Sequence, residues 1–251
     1  MTTAKHARRE IVMSLDGIKA LTFDTGGTIL DWHTGFKTGL EELGVTHGVN
    51  ADWAVLANEI RRGSLGRMLN LGKEEPPPYN FDIAHRAAVD EVLDANGLNA
   101  ATEDERHALA YDRPHNFICW PDFSDTLPRL RAKYICASFT ILSFRIIIDT
   151  ARRNGLSWDA VISCEGIGKY KPLPEPYETV SRYLQLDVSE CCMVACHNFD
   201  LNAAKAVGFK TAFVRRPHEW GPDGPPDPEP NPIHDIIVDS FPELAERLGA
   251  N

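Results

Sequence analysis

Five short apolar segments punctuate the chain: Ile18 to Phe23, Tyr134 to Thr140, Ala160 to Ser163, Cys192 to Cys196 and Lys210 to Val214. Helical periodicity fills the stretches between them. Apolar runs of this length, alternating with helices, read as strands of a parallel sheet buried on both faces and joined by right-handed crossovers. Glycines mark helix ends in the expected places. Gly155 follows a helix closing over Asp149 to Asn154, and Gly208 follows one over Leu201 to Val207. A last strand candidate, Asp235 to Val238, precedes a terminal helix over Phe241 to Leu248. The spacing breaks in one place. About a hundred residues separate the first two strands, with helical patterns over Gly35 to Leu43, Ala51 to Met68, Phe81 to Asn96 and Thr102 to Tyr111. No ordinary βα loop is that long. An inserted helical cap over residues 32–118, with a corner at Pro76-Pro77-Pro78, is predicted on an α/β core formed by residues 1–31 and 119–251. The proline-rich stretch Gly221 to Pro232 reads as a surface excursion, and no internal repeat is present.

Charge and composition exclude several functions. The net charge is −10, and Arg61, Arg62, Arg129, Arg131, Arg152 and Arg153 are scattered among acids. Nucleic acid is therefore not an expected partner, because phosphate-binding surfaces need clustered cations. No apolar run approaches membrane-spanning length. Lys5 to Arg9 is basic, but the apolar region after it is broken by Asp16 and Lys19, which makes a poor signal peptide. The six cysteines lack any paired C-x-x-C spacing and several fall in apolar strands. They read as reduced, buried thiols, and the expected location is cytoplasmic.

The chemistry gathers at strand ends. The first strand runs into Phe23-Asp24-Thr25-Gly26-Gly27-Thr28. An Asp at the carboxyl end of a parallel strand projects into the crevice where open α/β sheets bind ligands. The glycines allow a sharp turn and leave backbone N–H groups open to an anion. Taken alone, the run reads equally well as a strand-to-helix turn with Asp24 as a helix N-cap. Downstream partners decide between the two. The second strand ends at Thr140, Lys169-Tyr170-Lys171-Pro172 and Tyr177 follow the third, and Cys196-His197-Asn198-Phe199-Asp200 closes the fourth. A Lys between two carboxylates keeps both ionised near neutral pH, as a nucleophilic Asp requires.

In these motifs, and in Gly155-Leu156-Ser157-Trp158-Asp159, the chain resembles the haloacid dehalogenase superfamily, and within it the L-2-haloacid dehalogenases, from Ile18 to about Gly221. The resemblance implies a Rossmann-like core with a helical cap, Asp24 as nucleophile, a small haloacid substrate, no metal or other cofactor, and a possible homodimer. It also implies roles for other positions. Arg61, aligned through Leu56-Ala57-Asn58-Glu59-Ile60-Arg61, would receive the halide; Arg62, about 100° away on a helix, is the neighbouring candidate. The substrate carboxylate would rest on backbone N–H groups of Thr25, Gly26 and Ile141 and on the Thr140 hydroxyl, with Asn198 in the same binding set and Ser143 as the alternative hydroxyl. Thr28 and Tyr177 would support Asp24 and Lys171. Asp200, with Lys171 and His197, would orient or deprotonate the hydrolytic water. Trp32, Trp120 and Phe199 are expected to line an apolar pocket. Magnesium-dependent phosphatases of the superfamily carry an acid where Gly26 stands and an acidic ligand where Cys196 stands. Mg²⁺ prefers carboxylates and water, and an alkoxide leaving group needs a proton donor. Both absences favour dehalogenation over a phosphatase or a non-catalytic binding protein on the same core.

Overall fold

The computed structural model describes residues 15–71, 78–225 and 229–250. The stretch Lys5 to Arg9, Pro76 and Pro77, and the centre of the Gly221 to Pro232 excursion lie outside them. Six parallel strands form the sheet: β1 (Ala20–Phe23), β2 (Ile135–Thr140), β3 (Ala160–Ser163), β4 (Cys191–Ala195), β5 (Lys210–Val214) and β6 (Ile236–Val238). Their order is β3-β2-β1-β4-β5-β6. β1 is central, with Ala20 opposite Ile135 and Cys191, and Phe23 opposite Ser138 and Val194. Every residue of β1 and β4 is buried, which accounts for their continuous apolar runs without alternation. The chain leaves β1 toward β2 on one side and later returns to β4 on the other. The carboxyl ends of β1 and β4 therefore flank the crevice of a topological switch point.

Between β1 and β2 lie α1 (Trp32–His47), α2 (Trp53–Leu71), α3 (Phe81–Ala95) and α4 (Glu103–His107). α1 begins three residues before the sequence pattern suggested, because the Asp31 carboxylate accepts from the Thr34 N–H and caps it. Gly48, at φ 67°, ends it in a left-handed turn. α4 is shorter than expected: it passes into a π turn over Ala108–Asp112 and one further turn at Arg113–His115. The chain leaves and re-enters the sheet region side by side. The Asp31 N–H donates to the Ile118 carbonyl at 2.9 Å and the Trp120 N–H to the Ile29 carbonyl at 2.8 Å. This two-stranded neck holds α2 over the crevice. After β2 come α5 (Phe144–Arg153), α6 (Pro174–Leu184), α7 (Asn198–Val207) and α8 (Phe241–Arg247). The six cysteines are free and buried. Among the described residues, no helix is long and apolar enough to cross a membrane.

A buried histidine ties the inserted helices to the core. His115 Nε2 lies 3.0 Å from Asp82 of α3, and Nδ1 lies 2.8 Å from Asp149 of α5. Both neighbours are acceptors, so the ring must carry two protons to bond both. Burial opposes the charge, but the two carboxylates outweigh it and hold the His115 pKa above its ordinary value. The stabilisation is fully present below the unfolded-state value near 6.5 and is lost as pH rises through the raised folded value. His115→Asn is therefore expected to cost on the order of 2 kcal/mol at pH 6, and clearly less at pH 9, in urea unfolding at the two pH values.

Candidate active site

Asp24 follows β1 directly and is 6 % exposed. Its position there is fixed by Phe23, whose side chain points the opposite way and packs against Phe123 and Trp158 with ring centres 5.6 Å apart. Three groups hold the Asp24 carboxylate. The Thr28 hydroxyl donates to Oδ2 at 2.7 Å, Lys171 Nζ stands 3.5 Å from Oδ1, and His197 Nδ1 lies 3.2 Å from Oδ2. Lys171 is itself buried. Its ammonium donates to Asp200 Oδ2 at 2.7 Å and to the Phe139 carbonyl at 2.8 Å, while the Tyr177 hydroxyl donates to Asp200 Oδ1 at 2.6 Å. Burial alone would push the Asp24 pKa up. The Lys171 charge, then His197 and Thr28, more than offset it and hold the carboxyl well below the usual carboxylate range. Asp200 goes the other way: burial and the Asp24 charge raise it against the pull of Lys171. Asp24 is thus held ionised, facing a cavity of about 220 Å³.

Arg61 reaches that cavity from α2. It is 4 % exposed, its Nη2 donates to the Gly26 carbonyl at 3.0 Å, and its guanidinium lies over the Trp32 ring at 5.3 Å. Its Nε–H is buried with no hydrogen-bond partner. A Cβ at position 26 would sit 3.2 Å from Arg61 Nη2, so the missing side chain leaves room for the guanidinium. Arg62 is exposed and stacks over Trp220 at 5.4 Å. Of the two candidates, Arg61 faces the site.

Other expected residues fall differently. Thr25 and Thr140 do not form the cavity wall. Their hydroxyls bond each other at 2.8 Å, and Thr140 also accepts the Leu142 N–H at 3.1 Å. The Thr140 hydroxyl expected on the substrate instead fixes the turn that presents Ile141, which does line the cavity. Ser143 caps α5 by accepting from the Ile146 N–H. Asn198 is one residue past His197 on the helix, hence rotated about 100° from it. Its side chain donates to the Glu229 carbonyl at 2.8 Å and accepts the Asn231 N–H at 2.9 Å, away from the cavity. Asp200 is fully buried behind Asp24 and also absent from the wall. Of the three aromatics, only Phe199 lines the cavity, stacked on His197 at 5.5 Å. The indole N–H groups of Trp32 and Trp120 donate to Glu219 at 3.1 Å and to the Gly27 carbonyl at 2.7 Å.

Glu219 was not anticipated. It is 2 % exposed, lines the cavity, and sits beyond the carboxyl end of β5. Both its oxygens lie 3.1 Å from His197 Nε2, and Oε1 is 3.9 Å from Arg61 Nη2. Burial raises its pKa, but His197, Arg61 and Trp32 together bring it below the ordinary value. His197 is correspondingly raised: burial opposes the charge, while the carboxylates of Glu219 and Asp24 favour it. Gly27, at φ 90°, makes this possible, because a Cβ there would lie 2.0 Å from Glu219 Oε1. Gly27→Ala combines a left-handed backbone with that clash. It is expected to cost about 3 kcal/mol or more in chemical denaturation.

The family model for haloacid dehalogenase-like hydrolases matches residues 18–208, from the strand before Asp24 through the end of α7. The chain belongs to this family. A solved defluorinating L-2-haloacid dehalogenase is 32% identical with a TM-score of 0.86, covering 92% of this chain and 95% of its own. The (S)-2-haloacid dehalogenase 1 of Pseudomonas sp. (strain CBS-3) is 26% identical over 208 residues, 80% of this chain and 86% of that protein. The chain is also similar to a phosphatase: the N-acetylmuramic acid 6-phosphate phosphatase of Pseudomonas aeruginosa is 24% identical over 242 residues, 92% of this chain and 95% of that protein. Within this haloacid dehalogenase-like hydrolase, the groups around Asp24 do not fit Mg²⁺. They are an ammonium, an imidazole and a hydroxyl rather than the carboxylates and waters that the ion prefers. Cys196 Sγ, His197 Nε2 and a Glu219 oxygen lie within 4.8 Å of one another. Hydrogen bonds account for that closeness, the thiol is pushed up to about 11 by burial and so stays protonated, and the Arg61 cation stands beside the carboxylate.

Proposed function

We propose that this hydrolase cleaves the carbon–halogen bond of short 2-haloalkanoic acids through an ester formed on Asp24. The observation that carries this reading is Arg61. Its cationic guanidinium lines the cavity that the ionised Asp24 faces and packs against the bare Cα of Gly26, the position at which a phosphatase of the superfamily would carry its acid. A cavity of about 220 Å³ with Leu65, Leu142, Phe199 and Trp220 in its wall suits a small, partly apolar anion. The Asp24 carboxylate attacks the carbon bearing the halogen from behind, and the halide leaves toward Arg61. Backbone N–H groups at the Gly26 and Ile141 turns hold the substrate carboxylate. Water then attacks the ester carbonyl and regenerates Asp24. Residues 32–118 act as a cap that supplies Arg61 and excludes water, over a core of residues 1–31 and 119–251. Metal has no role in this scheme.

The test is a substrate panel. Halide release is measured from chloro-, bromo- and fluoroacetate and from the two 2-chloropropionate enantiomers, beside phosphate release from a small phosphate ester with Mg²⁺. Halide release from at least one haloacid, unchanged by excess EDTA, is expected. EDTA-sensitive phosphate release with no halide from any haloacid would overturn the reading in favour of the phosphatase class.

A further inference from the structure

Hydrolysis of an ester on Asp24 needs a group that can accept a proton from water on the cavity side of the carboxyl carbon. Asp200 and Lys171 lie behind Asp24, and Lys171 is held as a cation with no lone pair to offer. His197 and Glu219 are on the cavity wall. The ring of His197 bridges two carboxylates, with Nδ1 at 3.2 Å from Asp24 Oδ2 and Nε2 at 3.1 Å from each Glu219 oxygen. Both neighbours only accept, so the resting ring is an imidazolium. Turning Asp24 into an ester removes the charge on the Nδ1 side and leaves the charge on the Nε2 side intact.

We propose that His197 is the base of the hydrolytic half-reaction, switched on by alkylation of Asp24, and that Glu219 is the positioning residue that fixes its tautomer. This rests on Asp24 being the alkylated nucleophile. Once the ester forms and the halide has left, Nδ1 releases its proton to solvent, which is the one proton the overall reaction yields. Glu219 keeps the remaining proton on Nε2, so Nδ1 presents a lone pair. A water then attacks the Asp24 carboxyl carbon as its proton passes to Nδ1. The bond from that carbon to the ester oxygen, an Asp24 oxygen until the first step, breaks, and the departing alkoxide takes the proton from Nδ1. The regenerated Asp24 carboxyl gives its own proton to Nδ1, restoring the imidazolium. The groups facing His197 from every side are Asp24 and, behind it, Lys171; Cys196; Glu219 and, beyond it, Arg61; and the Phe199 ring.

The experiment is single-turnover kinetics on the haloacid that the wild-type protein hydrolyses, with halide release by rapid quench and the ester followed by intact-protein mass. His197→Asn and Glu219→Gln are expected to keep a halide burst of about one equivalent and to accumulate the ester. Its decay should be slower by about 10²-fold or more, the usual worth of a general base. The pH profile separates positioning from structural support. Without the Glu219 charge the imidazole in the ester form loses its proton more easily, so the acid limb of ester decay moves to lower pH in Glu219→Gln. Ester decay at the wild-type rate in both variants, or burst and turnover falling together without accumulated ester, overturns the proposal. Failure of the Asp24 reading looks different: the wild-type protein turns over the haloacid, yet no variant carries adduct on the Asp24 peptide.

Discussion

Asp24→Asn is expected to fold and to release no halide, with turnover reduced by about 10⁴-fold or more, as for loss of other catalytic nucleophiles. The amide has the shape of the carboxylate and can still accept from Thr28, whose hydroxyl is 2.7 Å away. It lacks the negative charge that attack on carbon requires. Stability should fall only modestly, because Lys171 keeps Asp200 at 2.7 Å and the Phe139 carbonyl at 2.8 Å. Halide release by ion chromatography and a thermal melt on the same sample check both statements. A variant with full activity would remove Asp24 from the mechanism.

Lys171→Met is expected to damage fold and activity together. It leaves Asp24 and Asp200 buried, close to each other, and without their shared ammonium. Removing one partner from a buried ionic cluster typically costs about 3–5 kcal/mol, or roughly 10 °C in melting temperature for a chain of this size. The pH dependence gives the sign. In the wild-type protein Lys171 holds the Asp24 pKa below its unfolded value, so Asp24 contributes stability above about pH 4 that is lost on acidification through the folded value. Without Lys171, less of the burial penalty on the Asp24 charge is offset, so ionisation of Asp24 contributes less to folding. The stability deficit of the variant is therefore expected to be largest near pH 7 and to shrink toward pH 4. A deficit independent of pH would mean that Lys171 stabilises through packing alone.

Much of this site is legible in the sequence because each strand end is a short, local pattern. Asp24 and His197 each follow an apolar run directly, Lys171 stands in the Lys169-Tyr170-Lys171-Pro172 run after the third strand, and Arg61 follows from helical spacing on α2. Glu219 is not legible in that way. In Arg215-Arg216-Pro217-His218-Glu219-Trp220 it reads as one more solvated charge in a polar turn. Its burial arises only when Trp32, Gly27, His197 and Arg61 converge on it from distant parts of the chain. The one available signal was its place just past the end of β5, at the same edge of the sheet as Asp24. Thr140 and Asn198 show the converse case. They are legible as motif positions, but the hydroxyl and amide rotations are set by tertiary partners, Thr25 for one and the Glu229 to Asn231 segment for the other. The π turn after α4 likewise has no signature in a periodicity that continues past it.

In this mechanism water attacks the Asp24 ester and never the substrate carbon. A single turnover with excess enzyme in H₂¹⁸O tests it directly, with mass analysis of both the 2-hydroxy acid and the peptide containing Asp24. The label is expected in the Asp24 carboxylate, with an unlabelled product hydroxyl. Label in the product and none in the peptide would show direct attack by water on the haloacid and would contradict the account.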